Sequence, residues 1–141
     1  MFFKDIKGKD KLTSELRTNV DRGRIPHAQL LLSKEGTGGL AVALAYASYI
    51  MCENKQESDS CGECSQCKKS YKFVHPDIHF SFPVVRLGDK KRESTTSDDF
   101  LPKWREMLSK SPYMSKTDWF DAINEHNSTP NINAKECSDL M

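Results

Sequence analysis

Ala28-Gln29-Leu30-Leu31-Leu32-Ser33-Lys34-Glu35-Gly36-Thr37-Gly38-Gly39-Leu40 is the stretch whose reading decides the fold. Ala28 to Leu32 is a short apolar run with little alternation, which fits a strand buried on both faces of a parallel sheet. Ser33 to Gly39 is a turn with three glycines. Leu40 to Cys52 then reads as a helix. Ala41, Ala43, Ala45 and Ala47 are strong formers, and Leu40, Leu44, Ala47 and Met51 share one face. Strand, glycine loop and helix in that order open a phosphate-loop or dinucleotide unit.

The loop departs from a working phosphate loop, G-x-x-x-x-G-K-[ST]. Aligned on Gly38, Ser33 replaces the first glycine and Gly39 stands at the lysine. Leu40 stands where a hydroxyl holds Mg²⁺. Gly36, Gly38 and Gly39 keep a backbone cradle before a helix N-terminus, but the groups that neutralise a triphosphate are gone. The dinucleotide pattern fails too, because position 41 is alanine. No apolar run ends in Asp-Glu, so the second metal-binding carboxylate is also missing. No nucleotide-binding residue, no catalytic residue and no productive ATP binding are expected.

Downstream stand Cys52, Cys61, Cys64 and Cys67, spaced Cys-x8-Cys-x2-Cys-x2-Cys. Four thiolates suit a tetrahedral zinc site, and two-residue gaps let one tight knuckle present neighbouring sulfurs to a single ion. Gly62 eases that turn. A disulfide is disfavoured in a cytosolic chain. A bacterial iron–sulfur run would need Cys-Pro where Tyr71 stands. A redox Cys-x2-Cys needs one pair and a thioredoxin-like setting. The expectation is structural zinc on these four cysteines, with Cys137 an ordinary half-buried residue.

The 141 residues suffice for one ordinary domain. Lys and Arg total 21 against 20 Asp and Glu, so the near-neutral balance gives no general case for nucleic acid or an anionic membrane. The longest mostly apolar run, Leu40 to Met51, is well short of the roughly 20 residues that span a bilayer. No signal pattern opens the chain, and a cytoplasmic location is expected.

Elsewhere, Lys9 to Arg22 reads as a helix with Leu12, Leu16 and Val20 on its face and Gly23 closing it. Ile78 to Val84 alternates as a second strand, with His75-Pro76-Asp77 leading into it. Residues 86–99 read as a mobile loop. Phe100 to Leu108 suggests a helix capped by Asp98 or Asp99, Trp119 to Ile123 one capped by Thr117, and Asn133 with Glu136 a capping box. Trp104 and Trp119 read as core. Lys4, Lys7, Lys9 and Lys11 read as a solvated face, and Arg24 and His27 as structural.

Taken in order, Phe3-x-Asp5-Ile6-x-Gly8, Gly23-Arg24-Ile25-Pro26-His27-Ala28, the glycine loop, the four cysteines and His75-Pro76-Asp77 resemble the N-terminal domain of bacterial DNA polymerase III clamp-loader subunits. The degenerate loop resembles the delta-prime type rather than the gamma/tau motors. The resemblance implies an α/β fold: a RecA-like P-loop (AAA+) three-layer sandwich with an inserted zinc module at about 52–72, truncated at 141. It implies a non-catalytic scaffold that partners gamma/tau and delta subunits, and through them the sliding clamp and primed DNA. Polymerisation then belongs to the holoenzyme. It also implies that strands beyond Met141 complete the sheet, so this chain by itself is expected either to be partly disordered after residue 86 or to self-associate. The competing readings are an active gamma/tau-type ATPase and a free-standing zinc module that binds nucleic acid.

Overall fold

The computed structural model describes residues 1–91, 94–123 and 128–139. The chain divides into two compact units, Met1–Ile78 and His79–Met141.

In the first unit, α1 (Asp10–Asp21) ends as its sequence requires. Gly23, at φ 65°, donates to Val20 O and Arg24 donates to Asn19 O, the two bonds of a Schellman motif. The expected face is turned slightly. Leu16 is buried, but Leu12 is 37% exposed and Thr13 is buried in its place. Thr13 can be buried because its hydroxyl reaches Asp10 O. Helix α2 (Gly39–Met51) packs against α1, against α3 (Ser65–Tyr71) and against the short 3-10 turn Phe3–Asp5. Of its expected stripe Leu44 alone is buried. Ala41, Val42, Ala45, Tyr46 and Tyr49 face the core formed with Phe3, Ile6 and Leu16, whereas Leu40, Ala47 and Met51 are only half-buried. A helix enclosed on several sides has no single apolar stripe for a periodicity to find.

Neither expected strand forms a ladder. Among the described residues the one backbone pairing of strand type is an isolated antiparallel bridge, Val84 with Asn131. Ala28–Leu32 is not buried on both faces as expected. Leu31 packs on the core, while Leu30 and Leu32 are 80% and 85% exposed. His75-Pro76-Asp77 makes a turn rather than a strand start: Ile78 donates to His75 O and Asp77 donates to His75 Nδ1.

The second unit is held by aromatic rings. Phe82 stacks on Trp104 at 4.2 Å, and Trp119 meets both edge-on at 4.9 Å. Trp119 Nε1 donates to Pro83 O at 2.8 Å. Trp104 lies on α4 (Leu101–Lys110) and Trp119 on α5 (Lys116–Ile123), so both tryptophans are core, as expected. The caps fall earlier than the sequence suggested. Asp99 closes a capping box on Thr96 in the 3-10 turn Ser97–Phe100, and α4 continues from that turn. Ser115, not Thr117, caps α5 through reciprocal bonds with Asp118.

The expected loop 86–99 includes a packed end. Thr95 and Ser97 are fully enclosed. Ser97 Oγ accepts from Phe82 N at 2.9 Å and donates to Phe82 O at 3.1 Å. Ser97 N donates to the buried carboxylate of Glu136, on α6 (Ala134–Asp139). Asn133 does begin α6, but its Nδ2 donates to Thr95 O. Residues 92–93 of this loop lie outside the described set.

Ser97→Ala leaves the main chain of Phe82 without its buried partner. The expected cost is about 1–3 kcal/mol, read from urea or thermal unfolding of the chain.

Tyr49 contributes to the alkaline pH dependence of the first unit. Burial pushes its phenol up to about 12, helped by its bond to Asp21 Oδ1. A folded-state value above the unfolded one favours folding fully below about pH 10, and that contribution fades as pH rises towards 12. Stability followed by circular dichroism should fall over that window in the parent chain, and less steeply in Tyr49→Phe.

Candidate metal centre and the glycine loop

Cys52 follows the last residue of α2 and is buried, which ties the knuckle to the helix. Cys61 to Cys64 forms the turn, with Gly62 at φ 78°. Cys64 caps α3, its sulfur accepting from Cys67 N at 3.4 Å. Cys67, in the first turn of α3, is fully enclosed. Ser-Gln-Cys-Lys-Lys-Ser-Tyr has no apolar period, so no periodic signal in the sequence marks α3.

The four Sγ atoms all lie within 4.8 Å of one another. Cys61 and Cys67 stand 3.9 Å apart, close to the edge of about 3.8 Å that a tetrahedron with metal–sulfur bonds of about 2.3 Å requires. All four are free thiols. Backbone N–H groups point at the sulfurs: Cys61 N at Cys52, and Glu63 N and Cys64 N at Cys61. Burial opposes charge on Cys64, but N–H donors from Cys67 and Glu53 outweigh it and lower its pKa. Burial dominates at Cys67 and raises its pKa. A cluster of thiols aimed at one point, with N–H donors that favour thiolates, can hold a metal ion. Cys137 is exposed and is not part of the cluster, contrary to the half-buried place expected for it.

The sequence reading missed the knuckle's supports. Buried Asp59 accepts from Phe3 N at 3.2 Å, Lys4 N at 3.0 Å and Ser60 N at 2.8 Å, so it clamps the start of the chain to the cysteine loop. Phe2 meets Tyr71 edge-on at 4.9 Å and lies over Gly62, where a Cβ would come within 2.8 Å of the ring. Arg17 donates to Ser58 O from α1. A lone aspartate in a polar loop carries no motif that could have flagged this role.

In the glycine loop, Gly36 and Gly38 take positive φ and Gly38 caps α2 without a side chain. Ser33 packs against Gly39. A Cβ on residue 39 would fall 2.7 Å from Ser33 Cβ and closer still to its Oγ. Two of the three departures from the phosphate-loop pattern, Ser33 and Gly39, are therefore neighbours in space. Arg24 and His27 are exposed.

The sequence model of the family described as "DNA polymerase III, delta subunit" matches residues 8–125. This chain belongs to the DNA polymerase III clamp-loader family. It is 34% identical to the DNA polymerase III subunit delta' of Bacillus subtilis over 76% of this chain and 32% of that protein. Against the delta' subunit of Escherichia coli the identity is 28%, over 67% of this chain and 27% of the relative. Against the gamma/tau subunit of Mycobacterium tuberculosis it is 26%, over 86% and 22%. The chain thus spans about a third or less of each of these relatives. No solved structure matches. No helix among the described residues is long and apolar enough to cross a membrane.

Elemental analysis should find about one metal ion per chain, and Cys64→Ser should lose it. Because Asp59 ties the two segments, a chelator should raise amide exchange at Phe3 and Lys4 together with that of residues 53–71, leaving α1 slower.

Proposed function

We propose that this chain is part of a non-catalytic, delta-prime-type clamp-loader subunit, whose four cysteines 52, 61, 64 and 67 hold one structural zinc ion. In this role it acts in a complex with gamma/tau and delta subunits that places a sliding clamp on primed DNA in the cytoplasm. The observation that carries the reading is the Ser33–Gly39 contact. The position a motor fills with lysine is glycine, and Ser33 lies across the space a side chain there would need. Leu40, next to it, offers no oxygen to Mg²⁺. Zinc is favoured over an iron–sulfur cluster by the close approach of the four sulfurs, all within 4.8 Å, which fits a single ion, and by the lack of a following Cys-Pro.

A second reading, an ATP-hydrolysing gamma/tau-type motor, draws on the Mycobacterium gamma/tau match. Titration with a non-hydrolysable ATP analogue and Mg²⁺ separates the two. No binding is expected in the micromolar range, and micromolar affinity would overturn the scaffold reading. Gly39→Lys alone should destabilise the loop by displacing Ser33. Ser33→Gly with Gly39→Lys should recover the stability without restoring hydrolysis, since Mg²⁺ still lacks ligands.

A RecA-like sandwich remains the fold we propose for the complete subunit, with Ala28–Leu32 as a strand paired on its flanks. In the present chain Leu30 and Leu32 stand open, and unpartnered apolar segments invite pairing with another chain. Light scattering should show self-association of the 141 residues. The Leu30→Lys, Leu32→Lys double variant should be monomeric.

A further inference from the structure

A second site lies within the His79–Met141 unit. A cavity of about 720 Å³ opens there, within the range of pockets that take a drug-sized molecule or a few peptide residues. Its floor is apolar: Val85, Phe100 and Ile123 line it and are each buried. Its exposed rim carries two cations, Arg86 and Lys103, and none of the described lining residues is acidic.

Arg86 is held in place by its own loop. Its Nε–H is shared between Gly88 O at 3.0 Å and Lys90 O at 3.1 Å. The two Nη groups have no acceptor among the described residues, so the guanidinium is fixed at one nitrogen and open at the others. Lys103 meets Glu106 at 3.5 Å, where both side chains are about half exposed. Such a pair contributes little and leaves the ammonium available. The main chain of Val85 and Arg86, on the same wall, also has no hydrogen-bond partner among the described residues. Open backbone beside an apolar pocket suits a peptide, which can pair along it; a small organic acid would leave it unpaired.

We propose that this cavity binds a peptide segment of a partner protein in which an acidic residue adjoins a large apolar one. The apolar side chain fills the floor over Ile123 and Phe100. The carboxylate meets Arg86 and Lys103 at the rim, where a guanidinium offers paired donors. Neither the metal centre nor the glycine loop contributes a residue.

The test is fluorescence polarisation on the whole chain with a fluorescein-labelled peptide Gly-Ser-Leu-Asp-Phe-Gly, its Asn counterpart and unlabelled 4-phenylbutyrate as competitor. The Asp peptide should bind, the Asn peptide about tenfold or more weakly, in line with the loss of a charge-assisted contact. The Arg86→Glu, Lys103→Glu double variant should lose the Asp peptide and gain preference for a Lys counterpart. Both substituted side chains are exposed, and circular dichroism checks that the variant is folded. Failure of the Asp peptide to bind at millimolar concentration overturns the proposal. So does equal binding of the Asp and Asn peptides, or displacement by phenylbutyrate as effective as by unlabelled peptide.

Discussion

Four sulfurs brought to one point organise the segment from Cys52 to Tyr71. Its loop residues Glu53 to Glu57 are exposed, and polar residues dominate its sequence, so it has no apolar core sufficient to hold it. A metal held by the four sulfurs would replace that missing burial, and its free energy of binding would become free energy of folding. Anchoring matters as much as ligation. Cys52 extends from α2, whose Tyr49 and Ala45 are among the most enclosed residues of the core. A knuckle rooted there inherits the rigidity of the helix. Asp59 then carries the order further, to Phe3 and Lys4.

The same helix has the glycine loop at its other end, and the contrast is chemical. Cys52 places a thiol at the C-terminus, whereas Gly38 and Gly39 supply only backbone at the N-terminus. A phosphate site needs both the oriented N–H groups and a cation to offset the charge they gather. The Ser33 side chain shows why the loop is more than a motor lacking one residue. Serine at the first position and glycine at the seventh accommodate each other, so a side chain restored at position 39 alone meets a clash with Ser33.

What the sequence made legible follows from how local each cause is. Gly23 closes α1 through two bonds to residues three to five positions back, and a local cause leaves a local signature. The cysteine spacing is likewise a property of one short stretch. The strands were not legible in this way, because a strand exists only through its partner. Leu30 and Leu32 are apolar enough for a strand buried on both faces, yet they stand exposed and nothing among the described residues pairs with them. Thr117 and Ser115 are both plausible caps by composition, and the choice fell to Ser115 because Asp118 stands three residues beyond it, completing the reciprocal pair. Asp98 and Asp99 misled for a related reason: expected as caps of α4, they lie inside a 3-10 turn that Thr96 caps and that runs on into α4.

Ser97 shows the limit of reading by composition. Gly88 to Asp99 holds no aliphatic or aromatic residue, which argues for a solvated loop. That argument weighs apolar burial alone. A hydroxyl can be enclosed when its donor and acceptor roles are both met, and Phe82 meets both with its own N–H and C=O. Glu136 is buried on the same terms, with the N–H of Ser97 as its partner. Polar residues thus join α6 to the aromatic floor of the unit through paired hydrogen bonds. Each of these pairs spans more than a dozen positions in the chain, which is why no window of sequence contains its cause.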